Sequence, residues 1–279
     1  MTLTFVADLA ERRKWIRLGW EQVATEYAKD RSGIFELGAK RLLELLHPTM
    51  GASLLDVGCG NGLVALEAVK QVGSKGRVIG SDIAATMVQL AQESSPREVD
   101  NISFYQMDAE WLGFEDATFD NVTCAFSLFQ FIDIERALDE MWRVLKQGGR
   151  LGLSNWGPGY FSPIASLQRD LFREYRMKQL LTNPIVFTSG DIKRMLYTAG
   201  FTSVEIVEET QEVWFTKPEE VWAFNMDMGP FPMMLQMQFS HDQRNEIMYR
   251  FKKIFEELMT ECGIEGTFHL LYAVAEKGG

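Results

Sequence analysis

The stretch Ser53-Leu54-Leu55-Asp56-Val57-Gly58-Cys59-Gly60-Asn61-Gly62 decides the fold: a short apolar run that ends in three glycines, each two residues from the next. Ser53 to Val57 reads as a buried strand, and from Leu63 to Val72 the residues Leu63, Val64, Ala65, Ala68, Val69 and Val72 recur at helical spacing. The glycines therefore occupy a strand-to-helix turn. Glycine is needed where the backbone takes positive φ or where a missing Cβ lets main chain touch a ligand, so this loop predicts close approach. Such a turn below a helix N-terminus is where doubly wound sheets hold nucleotide-like cofactors.

A dinucleotide fingerprint reads G-x-G-x-x-G; counted from Gly58 its last position is Leu63, and counted from Gly60 it is Ala65, which the looser form tolerates. A nicotinamide cofactor is disfavoured and stays open. The order Asp-x-Gly-x-Gly-x-Gly resembles the first motif of the class I S-adenosylmethionine-dependent methyltransferases. That resemblance implies an α/β fold with a Rossmann-like, doubly wound sheet of seven strands, mostly parallel with the last antiparallel. It implies S-adenosylmethionine as cofactor, with Asp56 near its amino-acid end and the loop Gly58, Cys59, Gly60, Gly62 beneath its ribose and methionine portion.

Downstream residues add to the resemblance. Gly76 to Asp82 reads as a second strand ending in an acid, and a carboxylate there accepts from the two hydroxyls of a ribose in either cofactor class. In the family, Ile83 and Met87 fall where the apolar face of adenine packs. A third strand, Asn101 to Gln106, leads into Met107-Asp108-Ala109-Glu110. The resemblance makes Asp108 the acceptor for the adenine amine and Ala109 the next main-chain donor, although Asp108 also suits a plain helix cap. Phe119 to Phe131 reads as a fourth strand, opened by Asp120 and closed by Ser127 and Gln130. In the family this strand brings residues such as Phe126 and Ser127 beside the transferable methyl group. Phe129-Gln130 stands where a His or Asn is usual, so a histidine base is not expected at that point. A helix ending at Gly148-Gly149 and a strand from Arg150 to Asn155 complete a core over residues 51–156.

Alternation of strands and helices predicts a parallel sheet whose ligands sit at the carboxyl ends of the strands. Gly58, Asp82, Asp108 and Ser127 all fall at such ends.

Two helices precede the first strand, within residues 11–47. Trp15 is expected to pack on the sheet, and Tyr27 resembles the N-terminal aromatic with which many small-molecule methyltransferases cover the cofactor. Beyond Trp156, Ser166 to Met177 and Asp191 to Thr198 read as helices, and Ser203 to Phe215 and Thr267 to Ala275 as strands. The connection between those two strands, residues 216–263, opens with two capping boxes, Thr216–Glu219 and Ser240–Gln243. It carries Met226, Met228, Met233, Met234 and Met237 among Trp222, Phe224, Phe231 and Phe239. The segment is surplus to the sheet, which points to a helical cap over an apolar substrate, with plain core packing as the other reading.

With 39 acidic against 28 basic residues the chain carries a net charge of −11, which repels nucleic-acid phosphates and anionic membranes and favours a small-molecule substrate. The three cysteines Cys59, Cys124 and Cys262 have no metal-ligand spacing. No metal is expected, and a reducing, cytoplasmic setting fits. Met1 to Lys14 is too charged for a signal-peptide core, and no apolar run approaches ~18 residues.

The expectation is a single domain that transfers a methyl group from S-adenosylmethionine to a small, largely apolar acceptor at carbon, oxygen or nitrogen. The family likeness is nearest to the methyltransferases named for ubiquinone and menaquinone C-methylation. Alternatives are an NAD(P)-dependent oxidoreductase, whose Tyr-x-x-x-Lys pair occurs only as Tyr249 and Lys253, and a cofactor-binding subunit without methyl transfer. Tyr27, Tyr160 and His241 are unranked candidates for a proton acceptor; no catalytic residue is assigned.

Overall fold

The computed structural model describes residues 8–29, 32–177, 186–227 and 231–278. Seven strands, β1 (Ser53–Val57), β2 (Arg77–Asp82), β3 (Ile102–Gln106), β4 (Phe119–Ala125), β5 (Leu145–Trp156), β6 (Phe201–Phe215) and β7 (Ile264–Lys277), form one sheet in the order β3-β2-β1-β4-β5-β7-β6. The pairs from β3 through β5 are parallel, while β7 runs antiparallel to both its neighbours. The chain winds outward from β1 to β3, then returns to place β4 on the other side of β1. That reversal opens a crevice between β1 and β4, the position at which open α/β sheets take their ligands.

The helices are α1 (Leu9–Tyr27), α2 (Ile34–Leu46), α3 (Leu63–Val72), α4 (Ala85–Ser94), α5 (Ile134–Val144), α6 (Ile164–Glu174), α7 (Ser189–Thr198), α8 (Pro218–Met226), α9 (Phe231–Gln238) and α10 (His241–Glu257). Gly152 on β5 faces α2, where a Cβ would meet Leu42 and Leu46. Side chains alternate across a strand, so Leu151 and Leu153 face the other way, and both are fully buried. Both faces of the sheet are therefore covered.

Three local expectations change. The helix expected to stop at Gly148-Gly149 ends at Val144, because Leu145 already pairs with Phe119. Residues 146–149 loop out before Arg150 pairs with Asn121, a bulge that Gly148 turns at φ 72°. The buried Lys277 ammonium takes up the helix end, 2.8 Å from the carbonyl oxygens of both Trp142 and Leu145. At α8 the expected Thr216–Glu219 capping box does not form: Lys217 stands at the N-cap without a side-chain cap, and the Thr216 N–H and hydroxyl both donate to the two Glu220 oxygens, at 2.7 and 2.9 Å. The Ser240–Gln243 box forms as expected. Trp15 is only partly buried, on a helix that rests on α4 and α9 rather than on the sheet.

Candidate active site

A cavity of about 970 Å³, its open mouth included, lies along the carboxyl ends of β3, β2, β1 and β4. That is at the upper end of the size of small-molecule and cofactor sites. Tyr27, Asp56, Gly58, Cys59, Gly60, Asp82, Ile83, Met87, Asp108, Ala109, Phe126 and Ser127 all line it. Gly62 does not. It sits one step lower, at φ 89°, and a Cβ there would meet Ala91 and Phe104 at 3.1–3.2 Å, so its role is close packing of α3.

The glycine loop is built around two carboxylates. Asp82, 9% exposed, accepts from the Gly60 and Ala84 N–H groups, both at 2.9 Å. A carboxylate offers about four acceptor sites, so it has capacity for a ligand hydroxyl besides these main-chain donors. Burial raises its pKa. Asp56, at the end of β1, accepts from the Thr123 hydroxyl at 2.8 Å through Oδ1, while Oδ2 is buried with no partner. Burial pushes its carboxyl up to about 7, against the Thr123 hydrogen bond, and the charge of Asp82 adds to the rise. A buried acceptor without a donor, lining a cavity, calls for one from the ligand.

Gly58 and Gly60 take φ 68° and 52°, left-handed values that favour glycine. At Gly58 a Cβ would lie 2.7 Å from Ser127 Cβ and Oγ, and the Ser127 hydroxyl donates to the Gly58 carbonyl at 3.0 Å. The β1 turn and the β4 exit are thus tied together across the crevice. Tyr27 lies over the loop, 3.7 Å from where a Gly60 Cβ would stand, with Trp20 and Phe35 each 5.2 Å from its ring. Burial and two neighbouring carboxylates push the Cys59 thiol up, which removes it as a nucleophile at neutral pH.

On the β4 side, Phe126 adopts φ 50°, unusual for an aromatic residue. Its ring stacks on Trp156 at 4.3 Å and presses against Gly38, where a Cβ would lie 2.5 Å away. From Trp156 the aromatic contacts run on through Tyr160 and Phe268.

No histidine lines the cavity: His47 caps α2, His269 lies against Gly159, and His241 is exposed and paired with Asn245. Tyr160 stands outside the lining, and burial pushes its phenol up. The Tyr249–Lys253 pair lies on α10, away from the cavity. Among the described residues no residue of 216–263 lines the cavity, and that segment approaches its rim where α9 packs on α1. Met228 and Pro230 lie outside the described residues. No cluster of metal-ligating side chains occurs among the described residues, and no helix there is long and apolar enough to cross a membrane.

Sequence reasoning missed Arg13 of α1 and Glu110. Arg13 Nε lies 2.8 Å from Asp108 Oδ2, an ion pair in which the N–H is not aimed at the oxygen, and its Nη2 donates to Glu110 Oε2. Glu110 directly follows the Asp-Ala pair, which was a signal available in the sequence. Arg13 gave none, being one of several charged residues at the start of a helix.

The polar groups stand in spatial order along one edge: Asp108 after β3, Asp82 on β2, Asp56 and the glycines at β1, Ser127 after β4. Adjacent strands lie ~4.8 Å apart, so these span roughly 14 Å, the reach of an extended nucleoside joined to an amino acid. The unpartnered Asp56 oxygen and the glycine cradle fit the ammonium end of S-adenosylmethionine, and Asp82 fits its ribose.

Comparison with known proteins gives the same class. Residues 54–149 match the family described as a methyltransferase domain. The chain is 35% identical over 205 residues to the aklanonic acid methyltransferase of Streptomyces sp. strain C5, covering 68% of this chain and 92% of that one. It belongs to the class I S-adenosylmethionine-dependent methyltransferases, enzymes that move a methyl group from that cofactor to an acceptor, here a small molecule. It is also 32% identical over 193 residues to the ubiquinone/menaquinone biosynthesis C-methyltransferase of Francisella tularensis subsp. novicida, covering 62% of this chain and 76% of the relative. Among solved structures, the YcgJ protein of Bacillus subtilis superposes with a TM-score of 0.60 at 19% identity, over 87% of this chain and 99% of that one, a likeness of fold.

Proposed function

We propose that the cavity holds S-adenosylmethionine extended along the sheet edge and receives the acceptor beside Phe126, Ser127, Gln130 and Phe131. The observation that carries this reading is the strand-by-strand order of the polar groups with one buried, unpartnered oxygen on Asp56. Asp108 accepts from the adenine amine, Ala109 offers its main-chain N–H, and Ile83 and Met87 pack on the ring. Asp82 takes the ribose hydroxyls, the loop Gly58–Gly60 passes beneath, and Asp56 receives the ammonium. Tyr27 covers the loop from above.

When bound, the cofactor's sulfonium supplies an electrophilic methyl group for in-line displacement. This chain's residues contribute position: nucleophile and methyl carbon must be held near ~3 Å in line with the sulfur, where effective molarity is worth several kcal/mol. The apolar lining by Phe35, Phe126, Phe131, Ile132 and Met107 keeps water away and suits a largely apolar acceptor. With no histidine there, an acceptor whose nucleophilic atom is already electron-rich, such as a phenol or an enol, fits best. The named relatives, a ubiquinone/menaquinone biosynthesis C-methyltransferase and an aklanonic acid methyltransferase, support a small-molecule acceptor. A net charge of −11 argues against nucleic acid as the partner.

Isothermal titration tests the site: S-adenosylmethionine and S-adenosylhomocysteine should bind and NADH should not. Asp82→Ala should weaken binding by ~1.5 to 3 kcal/mol, the strong end for a hydrogen bond to a charged acceptor. Unchanged affinity in a folded Asp82→Ala protein would sink the assignment. A radiolabelled-methyl screen across quinols, phenols, amines and isoprenoid compounds then identifies the acceptor.

A further inference from the structure

Four residues of α1 reach the cavity: Arg13, Ile16, Trp20 and Tyr27. Three are aromatic or aliphatic, and cover the cavity by contact. Arg13 bonds across it. Its guanidinium meets Asp108 and Glu110 and lies 4.4 Å above the Trp111 ring. Glu110 is 2% exposed, and its second oxygen, Oε1, accepts from the Ile132 and Asp133 N–H groups, both at 3.0 Å. A buried carboxylate is costly unless paired and hydrogen-bonded, and Arg13 supplies the charge that the two amides cannot. One carboxylate thus joins three parts of the wall: α1, the exit of β3, and the segment Phe131–Ile132 on the acceptor side.

We propose that Arg13 and Glu110 form a clasp that locks α1 over the adenine end of the cofactor and passes that closure to the Phe131–Ile132 wall. The proposal rests on the cofactor assignment above. Asp108 Oδ1 is held by the Glu110 N–H at 3.0 Å, and the Arg13 guanidinium beside Oδ2 fixes the carboxylate in place as an acceptor for an amine. Arg13 and Asp108 are about one-fifth exposed. A bound adenine would shield the pair from water and strengthen it, since charges interact more strongly where solvent is excluded. Closure and cofactor binding then favour each other, and by linkage the effect runs both ways.

The experiment measures S-adenosylhomocysteine dissociation by stopped flow, with hydrogen exchange over α1 and residues 128–133, in Arg13→Met, Arg13→Lys, Glu110→Gln and the Arg13→Met/Glu110→Gln pair. Methionine keeps the apolar stem. Glutamine keeps the acceptor for Ile132 and Asp133 but loses the charge. Arg13→Met should raise the dissociation rate about tenfold, the scale of one charge-assisted hydrogen bond, and abolish ligand-induced protection of α1. Glu110→Gln should do the same, the pair should be no worse than either alone, and Arg13→Lys should recover part of the loss. An unchanged dissociation rate in Arg13→Met, beside a wild-type chain that binds, overturns the clasp alone. Additive effects in the pair overturn it too, because the two residues would then act separately. A wild-type chain that binds no S-adenosylhomocysteine removes the cofactor assignment and the clasp with it.

Discussion

Asp56 carries opposite demands of folding and binding. In the ligand-free fold its carboxyl is raised to about 7, chiefly by burial, whereas in the unfolded chain it ionises in the usual low range. Between those values the folded protein binds the extra proton. The stability this gives is fully present below the unfolded value and is lost as pH rises through about 7, at about 1.4 kcal/mol for each unit of difference. Asp56→Asn, which cannot ionise, should therefore melt higher than the parent at pH 8, with the gap narrowing toward pH 4. Binding should show the reverse. Only the ionised form pairs with an ammonium, so parental affinity for S-adenosylhomocysteine should fall as pH drops below 7, and the asparagine variant should bind weakly at every pH. Calorimetry at pH 5.5 and 8 checks both, and a variant that keeps full affinity at pH 8 would remove the ammonium contact. At this scale the sequence was enough to pick out Asp56, Gly58, Asp82 and Asp108, which line one cavity, because they carry chemistry in their residue types. Gly62 falls outside the cavity lining, and a glycine spared for helix packing and one spared for a ligand look alike in a sequence.

Among the elements, strand-to-helix turns were legible and helix ends were not. The end of α5 is fixed by Lys277, which lies 132 residues past Leu145, whose carbonyl it caps. The local Gly148-Gly149 signal instead marks a bulge. A cation at a helix C-terminus complements the dipole, and here the Lys277 ammonium also lies 3.8 Å from the centre of the Trp142 ring. Lys277→Met keeps much of the volume but leaves the Trp142 and Leu145 carbonyls without a donor. It should cost ~1.5 to 3 kcal/mol in denaturant unfolding, as expected for bonds from a charged donor. Cofactor affinity should stay unchanged, since α5 and β7 do not line the cavity. A loss below about 0.5 kcal/mol, the range of ordinary surface substitutions, would show that water replaces the ammonium.

At the scale of the whole molecule, the sheet is divided between two tasks. The ends of β3, β2, β1 and β4 carry the site, while β5, β7 and β6 support helices α8 to α10, which contribute nothing to the cavity lining among the described residues. The parallel part of the sheet was legible because alternating strand and helix patterns leave few permitted windings, whereas the count of seven strands and the antiparallel β7 followed from the family resemblance. The place of the methionine-rich connection was not, because methionine fills irregular cores and binding surfaces equally well. Met233, Met234 and Leu235 are buried, and α9 touches α1, the helix that closes the cavity. A cap so placed meets the cavity wall at α1 and responds to ligand through that helix. S-adenosylhomocysteine alone should therefore slow hydrogen exchange in α1 and the turns after β1 to β4, leaving residues 222–227 and 231–240 nearly unchanged. Adding an acceptor found in the methyl-transfer screen should then protect 231–240, as a lid does when it closes on its substrate. If that segment exchanges at one rate with no ligand, with S-adenosylhomocysteine and with both, α8 to α10 are core, and acceptor selection belongs to the Phe126–Ile132 wall alone.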